Sequence, residues 1–182
     1  MTAHRTLVLV AHPDLKSSRI TAHLADAIRG MDNITVRDLS ADSPDRKFDV
    51  AREQELLREH DTIVWQFPWH WYSVPGVLKE WMDQVLTYGF AYGAEGDALH
   101  GKRLQLVLST GGPESSYAPA GHNRFTMSEL LRPLEATAHL CGLEMAEPLI
   151  LHSAPRTSPE ELAEHSVRYR GLLAPVAAAA GR

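Results

Sequence analysis

Trp69, His70, Trp71 and Tyr72 follow one another directly after an apolar run and between Pro68 and Pro75. Three large aromatics within four positions are costly to leave in water, so this loop is expected to line the seat of a planar ligand. A second group, Ser109, Thr110, Gly111 and Gly112, closes another apolar run. Its two glycines let the backbone approach a ligand and present unshielded N–H groups, although a Gly-Gly-Pro turn is also ordinary loop punctuation. Farther on, Tyr117 and His122 are a phenol and an imidazole that could share or relay a proton near neutral pH, or unrelated polar residues of an exposed loop. The segment from Ala11 to Arg19 contains no glycine, so neither a dinucleotide fingerprint nor a Walker loop is present. Ser17, Ser18 and the first amides of the helix that follows still offer donors where the helix dipole favours an anion, with His12, Lys16 and Arg19 beside them. One phosphate would fit there, or the serine simply caps the helix. Phe90-Ala91-Tyr92-Gly93 reads as a lid or as packing.

These groups need elements to carry them. Thr6 to Ala11 is a continuous apolar strand, and Ile20, Leu24, Ala27 and Ile28 recur at helical spacing between about Ser17 and a stop at Gly30. Ile34 to Leu39 reads as a second strand, and Asp49 caps a helix running to about His60. Asp61 to Phe67, rich in β-branched and aromatic residues, is a third strand that Pro68 stops. From Pro75, the positions Val77, Leu78, Trp81, Met82, Val85 and Leu86 make one apolar helical face. A fourth strand spans Leu104 to Leu108, a helix is expected across Phe125 to Cys141 with a bend near Pro133, and a fifth strand lies around Pro148 to Leu151. Ser158-Pro159-Glu160-Glu161 is a capping box that announces a closing helix.

Five strands alternating with helices call for a doubly wound α/β domain, a parallel sheet covered on both faces. In such sheets ligands sit beyond the carboxyl ends of the strands near the switch in strand order. The segments after strands one, three and four, which hold the candidate groups, should therefore converge.

The 182 residues are 44% hydrophobic and 23% charged, enough apolar material for one domain over 1–176, with a tail at 177–182 expected to fray. The net charge of −5 and pI near 6.0 give no basic footprint for nucleic acid. The single cysteine, Cys141, excludes an internal disulfide framework and reads as buried filler. The N-terminus lacks the apolar region of a signal peptide and the longest apolar runs are strand-sized, so a cytoplasmic location is expected. None of the ten histidines stands four residues from another and there is no Cys-x-x-Cys, so no metal is expected.

Taken in order, Ala11-His12-Pro13, the tract Trp65 to Pro75, Trp81-Met82-Asp83, Phe90-Ala91-Tyr92-Gly93, Ala98 to Lys102 and Ser109 to Gly112 resemble the flavodoxin-like NAD(P)H:quinone oxidoreductases. The resemblance runs from about Leu7 to Leu173 and is nearest the small bacterial members that include the ancillary flavoprotein of glutathione-gated potassium efflux. It implies a flavodoxin-like sheet of order 2-1-3-4-5. It also implies that His12 and Ser18, Arg19, Ile20 and Thr21 hold a flavin phosphate and ribityl chain, Thr21 standing where relatives often have asparagine. Trp69, His70, Trp71 and Tyr72 with Ser109, Thr110, Gly111 and Gly112 would hold the isoalloxazine ring. Tyr117 and His122 would assist proton movement, and Phe90 and Tyr92 would form a substrate wall across a homodimer interface.

The resemblance further implies a ping-pong reaction in which NAD(P)H gives hydride to flavin N5 and leaves, and a quinone then accepts two electrons. FMN is favoured over FAD because the first loop offers one phosphate nest and the chain has little length to grip an adenosine. A reading of a different class is a regulatory module that docks on a potassium-efflux transporter, peripheral to the inner face of the membrane, with incidental redox activity. A third is an electron carrier without hydride chemistry.

Overall fold

The computed structural model describes residues 4–174, so the expected tail at 177–182 lies outside the described residues. In chain order the elements are β1 (Thr6–Val10), α1 (Ile20–Ile28), β2 (Ile34–Asp38), α2 (Leu39–Asp42), α3 (Val50–Glu59), β3 (Thr62–Pro68) and α4 (Gly76–Val85). There follow β4 (Arg103–Ser109), α5 (Met127–Leu130), α6 (Arg132–Leu140), β5 (Glu144–Met145), β6 (Leu149–Leu151) and α7 (Pro159–Leu173). All strand pairs are parallel, in the order β2-β1-β3-β4-β5, and β6 also pairs with β4.

The alternation of side chains across the pleat divides the core into two layers. Leu7, Leu9, Ile63, Trp65, Phe67, Leu104, Leu106 and Leu108 face α3, α4 and α6, where Leu57, Leu78, Trp81 and Leu134 meet them. Val8, Val10, Val64 and Val107 face α1 and α7, against Leu24, Ile28, Leu162 and Tyr169. Each fully buried aliphatic side chain contributes roughly 1.5–3 kcal/mol. This burial on both faces is why the strands read as continuous apolar runs.

Three boundaries differ from the sequence expectation. The expected fifth strand is two pieces, β5 and β6, because Pro148 between them has no N–H to give to β4 and interrupts the ladder. The sheet thus has six strands in five positions. The expected bent helix across Phe125 to Cys141 is two helices that meet at Leu131. Thr126 and Glu129 cap the first reciprocally, and Pro133 sits in the first turn of the second, where its missing N–H costs nothing. The first helix begins at Ile20, since Leu15–Ser17 is a separate 3₁₀ turn. The short α2, capped by the Asp38 carboxylate on the Ser40 and Ala41 amides, was not expected. The Asp49 cap and the Ser158–Glu161 capping box are present as read.

Candidate functional site

The loops leaving β3 and β4 face each other at the carboxyl end of the sheet and border an open cavity of about 320 Å³. Trp69, Trp71 and Tyr72 line it from one side, Gly111, Gly112, Tyr117 and His122 from the other. The first loop is held by a tight turn. His70 and Ser73 exchange both backbone hydrogen bonds at 3.1 and 3.0 Å, and Trp71 and Tyr72 between them have φ of +49° and +60°. Two consecutive left-handed residues make a turn of the kind that Asn-Gly normally fills. Built from bulky aromatics it costs about 1–2 kcal/mol per residue. That conformation leaves Trp71 93% exposed at the rim. Tyr72 donates its hydroxyl to Asn123 Oδ1 at 3.1 Å, joining the two loops across the opening.

The opposite wall is backbone. The Gly112 carbonyl accepts from the Ser153 amide at 2.9 Å and from Thr110 Oγ1 at 2.9 Å, which fixes the strand end while the Gly111 and Gly112 amides have no acceptor among the described residues. A Cβ placed at Gly111 would meet nothing within 4 Å, so the protein's own packing does not require glycine there. The open space belongs to the cavity. Trp69 Nε1 is buried and has no partner among the described residues. The two free amides in the cavity wall are donors suited to the acceptors on the edge of a heterocyclic ring.

The loop after β1 lies on the same side of the sheet. His12 Nδ1 accepts the Asp14 amide at 3.1 Å, which places the proton of the neutral ring on Nε2 as a donor. Burial lowers the His12 pKa, opposed by the negative charges of the Asp14 and Asp38 carboxylates. Its ring stands edge-on to His70 at 6.4 Å between centroids, so the first and third loops meet. Ser18 Oγ accepts the Thr21 amide at 3.0 Å and so acts as the helix cap, while its own hydroxyl proton remains to be given.

Several expected site residues have other tasks. The Arg19 guanidinium donates to the carbonyls of Thr157 and Ala154, which ties the start of α1 to the loop before α7 and leaves it no part in an anion site. Ile20 and Thr21 are buried side chains, so only their backbone faces the loop. Thr110 is fully buried, its amide bonded to Leu151 and its hydroxyl to Gly112 and His152, so it latches strands together instead of touching a ligand. Ser109 is part of β4, its carbonyl accepting the Trp69 amide. Phe90 is 5% exposed beneath the Arg58 guanidinium at 4.9 Å, which corrects the expectation of a substrate wall: it is core. Tyr92 is half-buried edge-on to the exposed Tyr88 at 5.9 Å and does not line the cavity. Tyr117 and His122 share the cavity, but no hydrogen bond links them among the described residues.

The residue missed from sequence is His152. Its Nδ1 meets Thr110 Oγ1 at 2.9 Å and its ring lies against Tyr117 at 5.5 Å, fixing that phenol's position. Nothing local to the last strand marks it. Among the described residues, no group of three or more metal-ligating side chains is gathered. Among the described residues, no helix is long and apolar enough to cross a membrane.

Comparison with known proteins places this geometry among relatives. A family profile described as "Flavodoxin-like fold" matches residues 4–173. The glutathione-regulated potassium-efflux system ancillary protein KefG of Cronobacter sakazakii is 45% identical over 170 residues, covering 93% of this chain and 92% of that protein. A solved structure named general stress protein 14, in complex with FMN, from Treponema denticola is 40% identical, with a TM-score of 0.87 over 93% of this chain and 97% of that one. One named NADPH-quinone reductase from P. pentosaceus is 36% identical, with a TM-score of 0.87 over 94% and 99%. Another, named thermophilic tryptophan halogenase from Streptomycin violaceusniger, is 42% identical, with a TM-score of 0.90 over 93% and 99%.

Proposed function

The chain belongs to the flavodoxin-like family whose profile spans residues 4–173, and from that premise we propose that it is a flavin-dependent NAD(P)H oxidoreductase acting on quinones, with FMN as its cofactor. The observation that carries this reading is the cavity of about 320 Å³ with aromatic side chains on one side and two unpaired glycine amides on the other. A flat ring bearing acceptors on its edge suits both walls.

Bound there, FMN supplies the hydride acceptor for NAD(P)H and the two-electron donor for a quinone. The residues divide the remaining work. Trp69, Trp71 and Tyr72 would give the ring an apolar seat, and the Gly111 and Gly112 amides would donate to its polar edge. His12 Nε2, the Ser18 hydroxyl and the amides of the first turn of α1 receive the phosphate. Tyr117 and His122 hold and move a proton inside the cavity, each on its own, with His152 setting the angle of the phenol. FAD fits less well, since the Arg19 guanidinium that could have met a second phosphate is engaged with backbone carbonyls.

Absorbance of the purified protein before and after NADPH under nitrogen tests this reading. Flavin bands that bleach, and return on adding a quinone, support it. A colourless protein that takes up neither FMN nor FAD ends it. Quinone turnover without halide separates it from the activity named for the halogenase neighbour, and bleaching without a reductase separates it from a simple electron carrier.

A second reading is favoured by the KefG relatives at 44–45% identity, named as ancillary proteins of a potassium-efflux system. In it the same domain docks as a homodimer on a membrane transporter, and its location is peripheral through that partner. Recovery of the protein with membranes only when such a transporter is present would support it, and recovery wholly apart from membranes would exclude it.

A further inference from the structure

The loop that leaves β6 and the first three turns of α7 enclose a second cavity of about 540 Å³, within the range of small-molecule sites. Arg156 and Arg168 line it together with Glu161 and Glu164, and the imidazoles of His152 and His165 complete the walls. Glu161 already accepts the Ser158 amide in the capping box of α7, but the other charges are not paired with one another. Glu164 and Arg168 stand at the i, i+4 spacing where a helical ion pair ordinarily forms, yet no ion pair joins them among the described residues. The Arg156 side chain likewise has no partner among the described residues.

His165 adds a specific signal. It is 2% exposed, and Arg168 Nη2 donates to its Nδ1 at 3.2 Å, so the proton of the neutral ring sits on Nε2. That Nε2–H has no partner among the described residues. That donor is sealed from solvent, so the imidazole serves the cavity by holding the Arg168 guanidinium at its wall.

We infer that this cavity is a second ligand site, built for a small zwitterion of amino-acid type. Its carboxylate meets Arg156 and Arg168, and its ammonium meets Glu164, with Glu161 adding negative charge from its place in the helix cap. The two carboxylates in the wall disfavour a polyanion such as a nucleotide, and the charged lining disfavours an apolar molecule. The site shares a wall with the first cavity. His152 lines it, is held by Thr110, and lies against Tyr117, which lines the flavin-sized cavity beside Gly111 and Gly112. The His152 and Tyr117 rings, packed against each other, therefore separate the two cavities, and occupancy of the second is felt at the first. The inference does not depend on the flavin reading.

The test is a ¹H–¹⁵N NMR titration of the full chain with each common L-amino acid at millimolar concentration, with acetate, methylamine and inorganic phosphate as controls. At least one amino acid is expected to shift the Arg156, Thr157, Glu164 and His165 amides saturably, and to shift Gly111 and Gly112 with the same dissociation constant. Acetate and methylamine, each offering one charge, are expected to bind roughly tenfold more weakly or worse. Glu164→Gln and Arg168→Gln, both exposed, should each raise the constant by roughly tenfold, with changes in the ligand-free spectrum confined to the substituted turn and, for Arg168→Gln, to His165, whose Nδ1 it holds. His152→Phe should keep the shifts in the loop before α7 and lose those at Gly111 and Gly112. The absence of saturable shifts with any amino acid overturns the site, as does phosphate binding as tightly as the best amino acid, or a constant unmoved by Arg168→Gln. Gly111 and Gly112 shifts that persist in His152→Phe overturn the shared wall.

Discussion

The Tyr72 hydroxyl reaches Asn123 Oδ1 at 3.1 Å from a loop 51 residues earlier in the chain, and this one bond ties the aromatic loop to the segment that carries Tyr117 and His122. The bond is exposed, so its net worth to folding is at the low end of about 0.5–1.5 kcal/mol. Its worth to a ligand is in holding both walls at the right separation. Tyr72→Phe is therefore expected to change the urea unfolding midpoint little while raising the FMN dissociation constant roughly two- to tenfold. Fluorescence titration of FMN into the apoprotein measures this, and an unchanged constant would show that the two loops need no tie.

The turn at Trp71 and Tyr72 predicts an opposition between stability and binding. Both residues occupy left-handed backbone that asparagine and glycine adopt at little cost, and Trp71, being 93% exposed, contributes almost no burial to offset it. Replacing the pair by Trp71→Asn with Tyr72→Gly should stabilise the apoprotein by about 1–2 kcal/mol, the relief of two strained residues less the lost Asn123 contact. The same variant should hold FMN far more weakly. A variant less stable than the parent in urea would mean that the strain assigned to this turn is absent.

That turn also marks where sequence reading ran short. The strands were legible because burial on both faces makes Leu7–Val10 a continuous apolar run and Ile63–Phe67 and Leu104–Leu108 runs broken only by the buried Gln66 and Gln105, and the caps at Asp49 and Ser158 were legible because capping is local chemistry. Trp71 and Tyr72 carry no turn signature, so their left-handed backbone could not be anticipated; only the surrounding fold imposes it. The residues around Phe90 allow a lid or packing, and the structure gives packing: Phe90 joins the core through contacts with distant elements, with Arg58 over its ring, which no local pattern encodes. His152 was overlooked for the same reason, since its partners Thr110 and Tyr117 come from other loops. The β5 pair, Glu144–Met145, is too short to leave a periodic signal at all.

Stability should fall as the solution is acidified, earlier than carboxylate titration alone would bring. Burial pushes the His165 pKa down from 6.5 to about 4, with the Arg168 charge acting in the same direction. An unfolded chain would take up this proton near 6.5 while the folded one resists until about 4, so the stabilisation is complete above 6.5 and drains away between those two values. The full effect is about 3 kcal/mol at most. Burial lowers His12, His60 and His152 as well, and each adds in the same sense. Urea unfolding at a series of pH values should show the loss, and His165→Phe should flatten the part between 6.5 and 4. A slope identical in the variant would show that His165 is not its source.

Gln66 joins three elements inside the sheet face that carries α1 and α7. Its Oε1 accepts from the Tyr169 hydroxyl at 3.0 Å and its Nε2 donates to the Thr21 carbonyl at 2.8 Å, all in a buried setting. The position of the first turn of α1, where the phosphate is proposed to lie, thus depends on a helix at the far end of the chain. Gln66→Leu removes the acceptor and leaves the Tyr169 hydroxyl unpaired, which should cost about 1–3 kcal/mol in unfolding free energy. Adding Tyr169→Phe removes the orphaned group, so the double variant should recover much of that loss, as replacing both partners by apolar groups can be nearly neutral. The FMN constant should not recover with it, because neither change restores the hold on Thr21. Additive losses in the double variant would mean that Tyr169 and Gln66 act independently, and an FMN constant that follows stability would mean that the network merely supports the fold.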